Sequence, residues 1–159
     1  MPGREPDEVE FRADDRERVV ERMRAIAADR SGWVNFVPGV PDGVRQPRQG
    51  LLAFFGARGP EKLMATWVPG EVKREVPEPT TLGIQHAAGH RVAADLAGAG
   101  FAVPDGWRVL QDHSWRGLVV VVPDDADVDE VVGWLLRATA QVATFPLTGK
   151  WKAVFYSRS

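Results

Sequence analysis

The sequence predicts an α+β domain in which three helices pack on a mainly antiparallel sheet of about five to six strands. Three observations predict it. Apolar residues recur at helical spacing in three stretches, and in others they alternate or run for the length of a strand. The strand-like runs come as neighbouring pairs joined by short turn-rich connections, the arrangement of antiparallel hairpins. At 159 residues the chain is about one domain long, enough to bury roughly 70% of the surface that it would expose unfolded.

Residues 1–13 are acidic, contain Pro2 and Pro6, and lack the apolar core of a signal peptide. They read as a frayed tail, with residues 14–159 forming a single domain. Asp14 and Glu17 have capping-box spacing, and Val19, Val20, Met23, Ile26 and Ala27 make one apolar stripe, so a first helix starts at Asp14 and ends by Ser31-Gly32. Its arginines, Arg16, Arg18, Arg22 and Arg24, lie three or four residues from Asp14, Asp15, Glu17 and Glu21, the spacing of solvated pairs along one helix. Residues 33–37 read as a short strand and 38–49 as a loop. The apolar runs 51–57 and 63–68 are separated by the turn-rich residues 58–62 and should form a hairpin.

Three prolines in 69–79 stop the sheet, and this stretch is expected to cross the surface to a second helix over 81–97. On that helix Ile84, Ala88, Val92 and Leu96 fall on one side, with His86, Gly89, His90, Ala93 and Ala97 nearly opposite. Gly98 and Gly100 end it. A second hairpin follows, 107–113 with 117–122. Asp127 and Glu130 then cap a third helix, whose broad apolar face runs from Val128 to Val142. The closing strand, 150–156, turns Trp151, Ala153 and Phe155 one way and Lys152, Val154 and Tyr156 the other.

Val40-Pro-Asp-Gly-Val-Arg recurs as Val103-Pro-Asp-Gly-Trp-Arg. A repeated helix-plus-hairpin unit would produce this, and so would two independent uses of a favoured turn sequence. The predicted order of elements, α-β-β-β-α-β-β-α with one added strand, is similar to that of type III secretion chaperones. That likeness of order carries no motif and implies no activity.

Composition removes several function classes. The chain has no cysteine, which excludes disulfides, thiolate catalysis and Cys-ligated metal sites. No apolar run approaches the ~20 residues of a membrane-spanning helix, so the reading is of a soluble, cytoplasmic chain with no membrane partner. Twenty Lys and Arg against 22 Asp and Glu give a net charge of -2, where nucleic-acid binders usually carry a basic excess.

The candidate chemistry is sparse. His86 and His90 have the i, i+4 spacing of two helical metal ligands, and His113 is available as a third. The glutamate that follows the first histidine in helical metalloproteases is replaced by Ala87, so no general base accompanies them, and neither a metal site nor another cofactor is expected. Asp112-His113-Ser114 names a triad in consecutive letters, but neighbours on a strand point to opposite faces. Asp125, Asp127 and Asp129 copy the start of a calcium loop that then fails at Glu130 and Leu136.

The tip of the second hairpin, His113-Ser114-Trp115-Arg116-Gly117, is the most suggestive segment. A Trp beside an Arg in a turn has no evident folding duty, and these two residue types dominate binding hot spots. The sequence therefore points first to a non-catalytic binding or adaptor domain engaging a protein partner or a second copy of itself. Its candidate contacts are His113, Trp115 and Arg116, with His86 and His90 on the small-residue face of the second helix. The alternatives are a small enzyme or metal-dependent protein using the three histidines, and a nucleic-acid accessory factor using the arginines of the first helix.

Overall fold

Two-residue alternation governs more of this chain than its helical spacings suggest. The computed structural model describes residues 5–43 and 63–158. In order these form β1 (Asp7–Arg12), α1 (Glu17–Asp29), β2 (Gly32–Pro38), β3 (Met64–Val68), β4 (Val72–Lys73), β5 (Val76–Pro77), β6 (Thr80–Gln85), α2 (Val92–Gly98), β7 (Arg108–His113), β8 (Gly117–Val122), α3 (Val128–Gln141) and β9 (Lys150–Ser157). Among the described residues seven strands make one sheet in the order β1-β9-β2-β3-β6-β8-β7, every neighbouring pair antiparallel, while β4 and β5 pair only with each other.

Register places the apolar partners on one face. Val34 lies opposite both Trp67 and Phe155, Phe36 opposite Ala65 and Ala153, Leu82 opposite Trp67 and Val120, and Ile84 opposite Ala65 and Leu118. All are buried, and they form one core cluster with Val19, Val20 and Met23 of α1, Val92 and Leu96 of α2, and the inward side of α3. α1 packs on α3 and β2, α3 on β3 and β6, and α2 on β7. The opposite face carries Trp33 stacked on Tyr156 at 5.2 Å and Asn35 accepting from the Thr66 hydroxyl at 2.9 Å.

The α+β class with a mainly antiparallel sheet, the strands around 33–37 and 63–68, the second hairpin, the last helix and the last strand stand as the sequence predicted them, but the strands are more numerous than the expected five to six, seven in the main sheet and two beside it among the described residues. Asp127 caps α3, accepting the Glu130 N–H at 3.2 Å. The predicted strand 51–57 and its connection 58–62 lie outside the described residues.

Four expectations are corrected. Residues 7–12, read as part of a frayed tail, form β1: Val9 and Phe11 alternate with charged residues, and all six positions pair with β9, so that Phe11 is buried edge-on to Phe36. The first helix begins at Glu17, and its N-cap, Arg16, makes no side-chain cap; its guanidinium instead reaches the Ala13 carbonyl and Asp129 at the start of α3. The arginines of α1 that are ion-paired find carboxylates on other elements, Arg16 with Asp129, Arg22 with Asp7 and Arg24 with Asp127, in place of partners along the helix.

The largest correction concerns 81–97. Thr80, Thr81 and Ile84 favour an extended backbone, and the alternation Leu82, Ile84, His86 buries one side of β6 between β3 and β8. Gly89 and Arg91, at φ of 92° and 65°, then interrupt any helix, leaving only α2. His86 and His90 therefore do not share a helix face. The proline-rich stretch before β6 holds the small β4–β5 hairpin, pinned by Arg30 on the carbonyls of Gly70 and Glu78 and by Arg158 on that of Pro69. The described part of the first Val-Pro-Asp-Gly stretch follows β2 and the second follows α2, so the two do not close matching units.

Candidate functional site

Among the described residues β7 ends the sheet and pairs only with β8. Val109 lies opposite Val120 and Gln111 opposite Val119, so Leu110 is an extra residue in β7, a bulge. The bulge pushes Leu110 outward, where it is 59% exposed, with Val109 at 39% and Trp115 in the following turn at 48%. These are three of the five large apolar side chains found exposed among the described residues, the others being Val72 and Val76 on the β4–β5 hairpin.

The turn is built by its own side chains. His113 Nδ1 accepts the backbone N–H of Trp115 at 3.0 Å and that of Arg116 at 3.3 Å, and its ring meets the Trp115 indole edge-on at 5.9 Å. Gln111 Nε2 donates to the Arg116 carbonyl at 3.1 Å. Gly117 has a φ of 80°, and a Cβ there would strike the Ile84 carbonyl oxygen on β6, so this position needs glycine. Asp112 fastens the strand from behind: its two carboxylate oxygens accept the N–H groups of Val92 and Ala93, at 3.1 and 2.9 Å, at the start of α2. The exposed plate of Trp115 thus stands on a fixed base.

The charges around this edge are unspent. Arg91, Arg108 and Arg116 make no ion pair among the described residues, as is also true of Arg18, Arg74 and Arg137 elsewhere, whereas Arg12, Arg16, Arg22, Arg24, Arg30 and Arg158 all do. The outer edge of β7 thus sets exposed apolar side chains beside arginines that make no ion pair among the described residues.

The predicted site residues divide accordingly. His113, Trp115 and Arg116 come together at the tip. His90 is exposed in the loop before α2, and His86 is 2% exposed at the end of β6. His86 Nδ1 accepts the Ala88 N–H at 3.2 Å, and its buried Nε2 has no hydrogen-bond partner among the described residues. Burial pushes its imidazole below the ordinary histidine range, and the charge of Asp112 opposes that push to a lesser degree. Among the described residues no three His, Asp or Glu side chains are grouped to hold a metal ion. The acids that resemble a calcium loop line a cleft of about 690 Å³ with Trp107 and Trp134, but Asp127 is engaged as the α3 cap and with Arg24, and Asp129 with Arg16.

Sequence reasoning missed Leu110, Val109 and the anchoring role of Asp112. One signal was available. In a strand with one face buried, two consecutive apolar residues such as Val109-Leu110 leave one of them outward unless a bulge intervenes. No family model matches the chain, and neither a curated protein nor a solved structure is similar enough to it to count as a match.

Proposed function

We propose that this protein is a non-catalytic binding domain that docks a protein partner on the outer edge of β7 and the turn after it, with Leu110, Trp115 and Arg116 at the contact. One observation carries the reading. Among the described residues, three of the five exposed large apolar side chains gather on one strand and its turn, beside Arg108 and Arg116, which make no ion pair there. Exposed apolar groups bring no folding benefit in water, while a rigid aromatic plate next to a guanidinium fork is the pairing on which interfaces concentrate their energy.

The same chemistry describes the partner. It offers an apolar socket for the indole and carboxylates for Arg108 and Arg116, and a second copy of this chain is one protein able to supply both. His113 serves by shaping the turn, and His86 supports the strand from within. His90 stands exposed nearby as a rim residue.

Affinity purification with the parent chain, a Leu110→Ser/Trp115→Ala variant and a Val72→Ser/Val76→Ser variant tests the assignment, with sedimentation of each variant reporting self-association. The β7 variant should lose a partner or a self-associated species that the β4–β5 variant keeps. Equal recovery by all three would remove β7 as the docking edge.

A further inference from the structure

The turn that presents Trp115 is tied by an acceptor that acid abolishes. A neutral imidazole has one nitrogen that accepts and one that donates; an imidazolium has two donors. His113 Nδ1 accepts two backbone N–H groups, from Trp115 and Arg116, so in this geometry the proton of the neutral ring sits on Nε2. Protonation places an N–H on Nδ1 facing two N–H groups, and both hydrogen bonds are lost together.

From this geometry we infer that the β7–β8 turn is an acid-released docking element, closed while His113 is neutral and opened when it is protonated. The inference rests on the docking role proposed for Trp115 and adds its regulation. His113 is exposed to solvent, so its ring is open to proton exchange.

The charged groups around it act in both directions. Arg116, in the same turn, repels it. Asp112, the neighbouring carboxylate, is already held by the N–H groups of Val92 and Ala93. Across the hairpin, His113 lies opposite Gly117, which carries no side chain. The remaining titratable or charged groups of the adjoining elements are His90 and Arg91 before α2, His86 at the end of β6 and Asp95 on α2, the helix that packs on β7.

The arrangement occurs twice. His86 Nδ1 accepts the Ala88 N–H in the same i to i+2 sense, but this ring is buried and is protonated only at the cost of its burial. The exposed member of the pair is thus suited to switching and the buried one to holding the loop. Release of the Trp115 and Arg116 amides frees the indole from its edge-on contact with His113 and lets the tip fray, which lowers the pre-organisation that docking uses.

Nuclear magnetic resonance on the ¹⁵N-labelled full chain, titrated from pH 8 to pH 5, tests this without any partner. At pH 8 the His113 ring should show a bare Nδ1 and a protonated Nε2. The amide signals of Trp115 and Arg116 should then move with the midpoint at which that ring gains its proton, and the Trp115 amide should become more mobile below it. A His113→Asn variant supplies the decisive control, because its side-chain oxygen can accept the same N–H groups and does not titrate. In that variant the two amides should show no midpoint, with core amides unchanged as proof of folding.

A proton on Nδ1 at pH 8, parent amides that ignore the titration, or the same midpoint in His113→Asn would each overturn the inference. Failure of the docking reading is seen separately, in the binding of the Leu110→Ser/Trp115→Ala variant at a fixed pH of 7.5.

Discussion

The two edges of the seven-stranded sheet solve the problem of being an edge in opposite ways. β1 is straight and charged. Its six residues pair with β9 without interruption, Asp7, Glu8 and Arg12 are engaged with Arg22, Lys152 and Asp14, and its apolar residues, Val9 and Phe11, face inward. β7 is bulged, with Val109 and Leu110 exposed, and its Arg108 makes no ion pair among the described residues. Charge on an edge discourages pairing with other chains. An edge that keeps Leu110 and Trp115 exposed forgoes that protection, and the difference teaches where this molecule has been left available. β1 contributes Phe11 to the core, while no residue of β7 is buried.

The largest effect that separates the edges should come from Phe11→Ala. The ring is 8% exposed and packs at 6.1 Å on Phe36, and truncating a buried phenylalanine costs about 3 to 5 kcal/mol. Because Phe11 sits near the rim of the core, a value near ~3 kcal/mol in denaturant unfolding is expected. A loss under about 1 kcal/mol, typical of surface substitutions, would mean that β1 is peripheral after all and that the contrast between the edges is not real.

Next in size is Asp112→Ala, which sharpens the comparison by removing the tie between β7 and α2. It deletes a carboxylate that accepts two N–H groups at a helix start. Loss of a capping acceptor costs ~0.5 to 2 kcal/mol, and two such bonds place the expectation near the top of that range. Asp112→Asn keeps one acceptor oxygen and should lose about half as much. Equal stability of all three chains would show that α2 does not depend on this edge.

How far the sequence could be read follows the same division between local and distant causes. Hairpin 107–122, the Asp127 cap and the closing strand were legible because turn residues, caps and alternation are written within a few positions. β1 was obscured by its charge, although Val9 and Phe11 alternate as an edge strand should. The helix expected over 81–97 failed because Ile84, Ala88, Val92 and Leu96 also satisfy helical spacing. The choice between periods was made by β3 and β8, which hydrogen-bond to both sides of β6. Trp115, Arg116 and His113 could be named from the turn. That one of Val109 and Leu110 faces outward was also written in the sequence; that both are exposed was not, since a bulge is a relation between two strands, and neither were the partners of Arg16, Arg22 and Arg24, which lie up to 113 residues away in sequence.

A smaller effect should appear with pH. Burial favours the neutral form of His86 in the folded chain, so the unfolded chain takes up this proton first as pH falls. Its contribution to stability is therefore full above the ordinary histidine value of about 6.5. Below that value it declines, at no more than about 1.4 kcal/mol per pH unit, and levels off where the folded ring is itself protonated. His86→Leu removes both the titration and the unpaired Nε2–H and should flatten this part of the profile between pH 7 and 5. An unchanged slope in urea unfolding of the variant would assign the acid sensitivity elsewhere.

The smallest expected effect on stability is the one that bears most on function. Trp115→Ala deletes an indole that is 48% exposed and whose ring neighbour is His113 of the same turn, while both turn hydrogen bonds use the backbone N–H groups that alanine keeps. Leu110→Ala trims a side chain that the bulge already points into water. Each should cost less than about 1 kcal/mol, as surface substitutions do, against several times that for Phe11→Ala at the opposite edge. Binding should reverse the order: hot-spot aromatics cost ~2 kcal/mol or more when truncated, about a thirtyfold loss of affinity, while the exposed Val72 and Val76 serve as apolar controls. A Trp115→Ala chain that unfolds several kcal/mol early and keeps its partners would place the indole in the core. The two edges would then differ in shape alone.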